Sequence, residues 1–192
     1  MITGAEWRNL LLPLVDHPDE WALVNRRGYR RDWQWIVAGV LAEGSSSRDH
    51  LYVWAWSMPL FVPVDHVTLS QSNRVVPGSV EIADTSALSH ALSLALADVK
   101  READYLETWA EGDGDSEVRA YARVLLGDSE AASALAASEA RLRDDGRPWA
   151  VEGAQRVARL ATALNTDGSD AAVAILTTWR DSTAAALRLR VA

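Results

Sequence analysis

A change in the spacing of apolar residues near residue 82 divides this 192-residue chain into two halves. Before it, segments 32–41 and 50–58 alternate their side chains with a period of two, as β-strands do. After it, apolar residues recur every three to four positions, as on one side of an α-helix. The sequence therefore predicts an α+β protein in a single domain, residues 1–192. A small antiparallel sheet of three or four strands in residues 1–82 precedes about five packed helices in residues 83–192.

The two alternating segments predict a β-hairpin closed by the loop EGSSSRD. In the register that pairs Trp35 with Trp56, Gly39 lies opposite Tyr52 and the large rings share one face of the sheet. A layer of helices would pack on such a face. The sequence favours a core position for Trp35, Trp54 and Trp56 and leaves an interface as the alternative, with the rim of the sheet as the best candidate for a contact surface.

The helical half predicts a first helix from residue 85, whose apolar stripe runs from Leu88 to Leu106 and which ends at EGDGD. Two later segments, ARVLLGDSEAASAL and ARLATALNTDGSDAAVAIL, share a start, a glycine-containing turn and an alanine-rich second helix. They resemble a degenerate tetratricopeptide-type hairpin, or alanine-rich helices that recur by chance.

Composition excludes several kinds of site. The chain has no cysteine, so it has no disulfide, thiol nucleophile or cysteine-bound zinc. A formal net charge of −8 argues against nucleic acid or an anionic membrane as the partner. The first 21 residues lack the basic start and unbroken apolar run of a signal peptide or membrane span. We expect a cytoplasmic protein with no membrane partner.

Motifs for catalysis or cofactor binding are missing from the sequence. It has no phosphate loop, dinucleotide fingerprint, triad spacing or pair of histidines at metal-ligand spacing. Glu111, Asp113, Asp115 and Glu117 alternate in a loop, but without the spacing of a calcium-binding EF-hand. We interpret that loop as a helix connection, and we assign no catalytic residue, metal or cofactor.

One local cluster combines basic and aromatic residues between positions 26 and 33. Such a cluster can be a solvated sheet edge, a surface for an acidic protein partner, or a grip on single-stranded nucleic acid. The predicted partner-binding residues are Arg26, Arg27, Arg30, Arg31 and Trp33, together with Trp54 and Trp56.

Asp65 and His66 follow the tryptophan-rich strand, and a histidine beside a carboxylate can act as a general base. Adjacent residues on a strand point to opposite faces, so this pairing requires a turn. The two residues define an alternative site, a pocket between sheet and helices.

The segments RRGYRRDWQWIVAGVL and LYVWAWSMPLFVPVDHV, within residues 1–75, resemble a family of uncharacterised bacterial domains in which a small antiparallel sheet precedes helices. The resemblance implies a setting in toxin–immunity or phage-defence systems and no catalytic residues. We therefore expect a noncatalytic protein-interaction module, and the resemblance implies an immunity or accessory component. A small enzyme or ligand-binding protein is the alternative.

Overall fold

The computed structural model describes residues 3–15, 18–24, 26–68, 71–112 and 116–189. Its described residues divide into two compact units. The sheet unit comprises those within Met1–Met58 and His66–Glu102, with Leu189. The helical unit comprises those within Pro59–Asp65 and Ala103–Arg188. The α+β prediction is confirmed, while the single domain stays a prediction.

The sheet has six strands rather than the three or four that the sequence indicates. Its order is β1-β2-β3-β4-β5, and β6 pairs with β4 beside β5. The last two strands are four and two residues long, too short to show an alternating pattern. The strands are β1 Trp21–Val24, β2 Arg27–Arg30, β3 Ile36–Gly44, β4 His50–Pro59, β5 Gln71–Arg74 and β6 Val80–Glu81.

The predicted register of the β3–β4 hairpin is wrong. Trp54 Nε1 donates a hydrogen bond to Glu43 Oε2 at 3.0 Å. In the predicted register Glu43 would lie opposite Arg48, six residues and about 20 Å along the strand from Trp54. Periodicity fixes which residues share a face, but the pairing between strands depends on the loop that joins them.

The close neighbour that requires a glycine at position 39 is strand β2, not the side chain of Tyr52 as predicted. It pairs with Tyr29 of β2. A Cβ atom at Gly39 would lie 2.0 Å from the carbonyl oxygen of Gly28 and 2.6 Å from Tyr29 Cα. The glycine therefore allows the backbones of β2 and β3 to approach closely, rather than leaving space for the ring of Tyr52.

Two helices complete the sheet unit. Helix α1, Gly4–Leu11, begins with a capping box. The side chains of Thr3 and Glu6 each accept a hydrogen bond from the backbone N–H of the other residue. Helix α2, Thr85–Asp98, is capped by Asp84, whose carboxylate accepts a hydrogen bond from the Ala87 N–H at 2.9 Å. Their apolar sides pack on aliphatic residues of the sheet. This core contains Trp7, Leu11, Val40, Ala42, Leu51, Val53, Ala55, Leu88, Ala91, Leu92 and Ala95.

The helix predicted from residue 85 to the loop EGDGD is in fact two helices. Val99 ends α2 in an extended conformation with ψ 107°, and α3 begins again at Glu102. The stripe from Leu88 to Leu106 serves two cores, because α2 belongs to the sheet unit and almost all of α3 to the helical unit. Apolar spacing alone cannot reveal an interruption of three residues.

The helical unit contains α3 Glu102–Glu111, α4 Ser116–Leu125, α5 Ala131–Asp145, α6 Pro148–Asp167 and α7 Ser169–Ala186. Gly127 and Gly146 have φ of 67° and 68° after α4 and α5, the left-handed conformation that favours glycine. Pro148 opens α6, in the first helical turn, where the missing proline N–H has no intrahelical partner to lose. Each helix from α4 to α7 packs on the next, and α4 also contacts α7. In an open stack of two hairpins the first and last helices lie apart. The repeat interpretation is thus unsupported and stays a prediction.

Candidate binding surface on the sheet

The two faces of β4 differ in chemistry. Leu51, Val53 and Ala55 point into the aliphatic core with α1 and α2. Because side chains alternate along a strand, Tyr52 and Trp54 lie on the other face. The expectation that helices pack on the aromatic face is therefore wrong for α1 and α2, which cover the aliphatic face.

Burial of the tryptophans rises along β4 from its start. Tyr52 and Trp54 are half-buried, whereas Trp56 is only 2% exposed. Trp35 is 9% exposed, and both it and half-buried Trp33 precede β3, which starts at Ile36. Trp35 and Trp56 are thus core residues as predicted, and Trp54 reaches the surface.

Around Trp54 the side chains form what we call the ring–cation patch: Glu43, Tyr52, Trp54 and Arg74. Arg74 pairs with Trp54 in the β4–β5 register. Its guanidinium carbon lies 4.0 Å from the centre of the Tyr52 ring and 4.8 Å from that of Trp54. Glu43 holds the indole from the other side through the 3.0 Å hydrogen bond. Two rings and a carboxylate thus fix the patch in one geometry.

Arg74 retains its capacity to bind. Its side chain is exposed, and its guanidinium forms no hydrogen bond or ion pair with the side chains that the structure describes. A guanidinium stacked on rings keeps its N–H groups at its edge, where they can bind a carboxylate through two parallel hydrogen bonds. Sequence reasoning missed Arg74 because β5 shows no strand pattern, although the alternation of Tyr52 and Trp54 was visible.

The predicted arginine cluster is dispersed rather than brought together. Arg30 bonds Asp32 at 2.9 Å and lies 3.8 Å from Glu20, and the hydrogen bond to Asp32 raises the pKa of Arg30. Arg31 Nε is buried without a hydrogen-bond partner among the described residues. Arg26 lines a cavity at the other end of β2. The strand lies between β1 and β3, so interpreting the cluster as a sheet edge does not fit. Binding of a partner by Arg26, Arg27, Arg30, Arg31 and Trp33 stays a prediction.

Asp65 and His66 lie in the loop after β4, and both are exposed. Neither lines the cavity that contains Arg26 or a shallow one beside α1. That these two residues belong to a pocket between sheet and helices stays a prediction.

The helical unit contains a buried ionic group that sequence reasoning also missed. Arg156 donates two hydrogen bonds to the carboxylate of Glu117, at 2.7 and 3.0 Å. Tyr121 Oη donates a third at 2.9 Å, and the Glu117 side chain is 7% exposed. Burial and the neighbouring carboxylate raise the pKa of Tyr121 far above its usual range. The buried carboxylate of Glu117 thus accepts three hydrogen bonds inside the bundle, and loss of Arg156 would leave its charge unpaired.

The same contacts show the role of Glu117, one of the four acidic residues that alternate between positions 111 and 117. Glu117 is an ion-pair partner inside the bundle, while Asp113 and Asp115 lie outside the described residues. Within the described part of the chain, no three acidic or histidine side chains are grouped so that they could hold a metal ion. Nor does any described helix have the length and apolar character needed to cross a membrane.

Comparison with known proteins found no match to a family model, to a curated protein or to a solved structure.

Proposed function

We propose that this protein is a noncatalytic protein-binding module, and that the ring–cation patch is its main contact surface. The observation that carries the proposal is Arg74 held over Tyr52 and Trp54 at the surface of the sheet. Tryptophan, tyrosine and arginine are the residues most enriched where binding energy concentrates in protein interfaces.

The partner that we propose is a protein segment that carries a carboxylate. Arg74 is exposed, and the adjoining rings offer apolar area to the rest of the segment. Since two rings and Glu43 already restrict the patch, little conformational freedom remains to be lost on binding. The resemblance of residues 1–75 suggests the setting, an immunity or accessory role in a bacterial conflict system.

A second exposed arginine–tryptophan pair provides a matched control. Arg147 lies 4.6 Å from the ring centre of Trp149, which is 53% exposed, in the helical unit. Unlike Arg74, Arg147 already bonds a carboxylate, that of Asp145 at 2.6 Å. Both pairs combine an exposed arginine with a tryptophan, but only the guanidinium of Arg147 already binds a carboxylate.

The test is affinity purification of the tagged chain from its native host, followed by titration of the purified partner. Trp54→Ala and Arg74→Ala should each weaken binding by at least about 2 kcal/mol, the size of a hot-spot effect. Arg147→Ala and Trp149→Ala should leave it unchanged. Binding should also weaken with salt, and less so for Arg74→Ala.

A partner that all four variants retain equally would place the contact elsewhere and overturn the proposal. Recovery of nucleic acid in place of protein would do the same, and nuclease treatment of the eluate identifies that outcome. Thermal unfolding of each variant shows whether lost binding reflects a lost fold.

A further inference from the structure

Strand β5 lies at one end of the sheet, beside the ring–cation patch. It pairs with β4 and, within the described part of the chain, with no second strand. Two of its residues, Asn73 and Arg74, are exposed. At the opposite end of the sheet, every residue of β1 from Trp21 to Val24 is buried or half-buried. The edge of β5 is therefore the more accessible of the two for a further strand.

The hydrogen bonds between β4 and β5 determine which backbone groups face that edge. Val75, directly after β5, donates its N–H to Val53 O at 3.3 Å. In an antiparallel ladder, residues that exchange hydrogen bonds with the neighbouring strand alternate with residues that do not. Asn73, two positions before Val75, therefore bonds β4, whereas Arg74 does not. The N–H and C=O of Arg74 point away from β4, towards the open edge.

The same position explains why Arg74 stacks on the rings. Side chains of a pair that exchanges no hydrogen bonds lie closer together than those of a bonded pair. Arg74 is opposite Trp54, and its guanidinium carbon lies 4.8 Å from the centre of that ring. This residue thus offers two kinds of contact, its backbone at the open edge and its guanidinium on the ring face.

We infer that the partner segment binds as a β-strand added antiparallel to β5, with a glutamate opposite Arg74. In strand addition, main-chain hydrogen bonds give affinity and alternate side chains give specificity. The pairs β1–β2, β2–β3, β4–β5 and β4–β6 are all antiparallel, so this orientation continues the sheet. The inference rests on the proposed function, because it specifies how a segment that carries a carboxylate reaches the ring–cation patch.

The position of the guanidinium restricts the acidic residue. Neighbouring strands lie about 4.8 Å apart. The guanidinium lies over two rings of β4, whereas the added strand lies on the opposite side of β5. The carboxylate must therefore reach back across β5, and glutamate reaches one carbon further than aspartate.

The other face of β5 restricts the neighbouring positions of the segment. Asn73 lies on that face because side chains alternate along a strand. Its Nδ2 atom donates a hydrogen bond to Asp98 Oδ2 at 3.3 Å. Since like charges on neighbouring strands repel, the carboxylate of Asp98 disfavours acidic residues on either side of the glutamate. The segment therefore has one glutamate between neutral residues.

The experiment titrates the full chain, labelled with nitrogen-15, with a capped seven-residue peptide that has a central glutamate and otherwise threonine and valine. Amide hydrogen exchange is measured with and without peptide at millimolar concentration. Strand addition should slow exchange of the Arg74 N–H at least about tenfold and leave the Asn73 N–H, which already bonds β4, within about twofold. A glutamine peptide should bind about tenfold more weakly, because a charge-assisted pair is lost, and an aspartate peptide between the two.

Two variants at position 74 separate main chain from side chain. Arg74→Ala removes the guanidinium and keeps the N–H, whereas Arg74→Pro removes both. Proline is tolerated on an edge strand when its missing N–H faces away from the sheet. Towards the glutamine peptide, Arg74→Ala should match wild type within about twofold, and Arg74→Pro should bind about fivefold more weakly through loss of one hydrogen bond. Thermal unfolding checks that both variants keep the fold.

Methylated peptides give the same test with the chain unaltered. Methylation of the glutamate nitrogen removes the donor to Arg74 O and should weaken binding about fivefold. Methylation of the next nitrogen, which faces away from β5, is the matched control and should leave the affinity within about twofold.

Three results would overturn strand addition: no saturable binding of the glutamate peptide, unchanged exchange at the Arg74 N–H, and equal weakening by the two methylated peptides. If Trp54→Ala and Arg74→Ala lose the native partner while exchange at Arg74 stays unchanged, the ring–cation patch remains the contact surface and only the strand mode fails. If exchange slows but the glutamate and glutamine peptides bind equally, the carboxylate contact fails, and with it the proposed chemistry of the partner.

Discussion

The sheet unit and the helical unit each place an arginine beside aromatic and acidic side chains, with opposite consequences. In the helical unit Arg156 forms hydrogen bonds to Glu117, which also accepts one from buried Tyr121. In the sheet unit Arg74 lies over two rings, is exposed, and has no ion-pair partner among the described residues. The same residue types therefore contribute stability where they are buried and paired, and binding capacity where they are exposed and unpaired.

The largest expected effect is on the buried group. Arg156→Ala leaves Glu117, with a 7% exposed side chain, without its cation. We expect the free energy of unfolding to fall by about 3–5 kcal/mol, as for other buried ion pairs that lose one partner. Urea denaturation measures this loss.

Two variants sharpen that result. Arg159→Ala, an exposed arginine on the same helix, should change the free energy of unfolding by less than about 0.5 kcal/mol. The double variant Glu117→Gln, Arg156→Met should recover much of the loss, because it buries no unpaired charge. A small effect of Arg156→Ala would mean that the ionic group is dispensable for the bundle.

Within the sheet unit, the two tryptophans of β4 should differ in their contribution to stability, because Trp56 is buried and Trp54 reaches the surface. Trp56→Ala should lower the free energy of unfolding by about 3–5 kcal/mol, since the side chain is 2% exposed. Trp54→Ala should lower it by about 1–2 kcal/mol, because the ring is half-buried and loses one hydrogen bond to Glu43. Equal losses in chemical denaturation would assign both tryptophans to the core and weaken the proposed contact surface.

The smallest effects are expected at the two exposed arginine–ring pairs. Arg74→Ala should lower the free energy of unfolding by about 0.5–1 kcal/mol, as the loss of an exposed cation–π contact does, and Arg147→Ala should have a comparably small effect. In thermal unfolding the two variants should therefore look alike, while in partner binding only Arg74→Ala should differ from wild type. A large stability loss at Arg74 alone would make it a structural residue.

Much of the fold was predictable because periodicity reports directly on which side of an element is buried. Alternation between residues 32 and 58 predicted the central strands, and helical spacing after residue 85 predicted the bundle. Turn glycines and Pro148 marked element ends, because their backbone preferences are local. Short strands β5 and β6 and the break at Val99 were missed, since each involves too few residues to show a period.

The candidate sites were predicted less well. Trp54 was foreseen, but Arg74, 20 residues further along the chain, becomes its neighbour only through the β4–β5 pairing. Arg48 stood in the predicted loop and His50 at the start of the predicted strand 50–58, and both line the cavity that contains Arg26. Arg26 joins them because β2 is hydrogen-bonded beside β3. The arginine cluster looked like one site because its members are close in sequence, and alternation along β2 separates them.

The sequence by itself determined the α+β class and the order of sheet and helices, because these follow from local periodicity. Tertiary structure alone decided that α1 and α2 cover the aliphatic face, that Arg74 meets Trp54, and that Arg156 meets Glu117. These contacts join residues far apart in the chain. They depend on strand register and on helix packing, and no single segment of the sequence encodes the register or the packing.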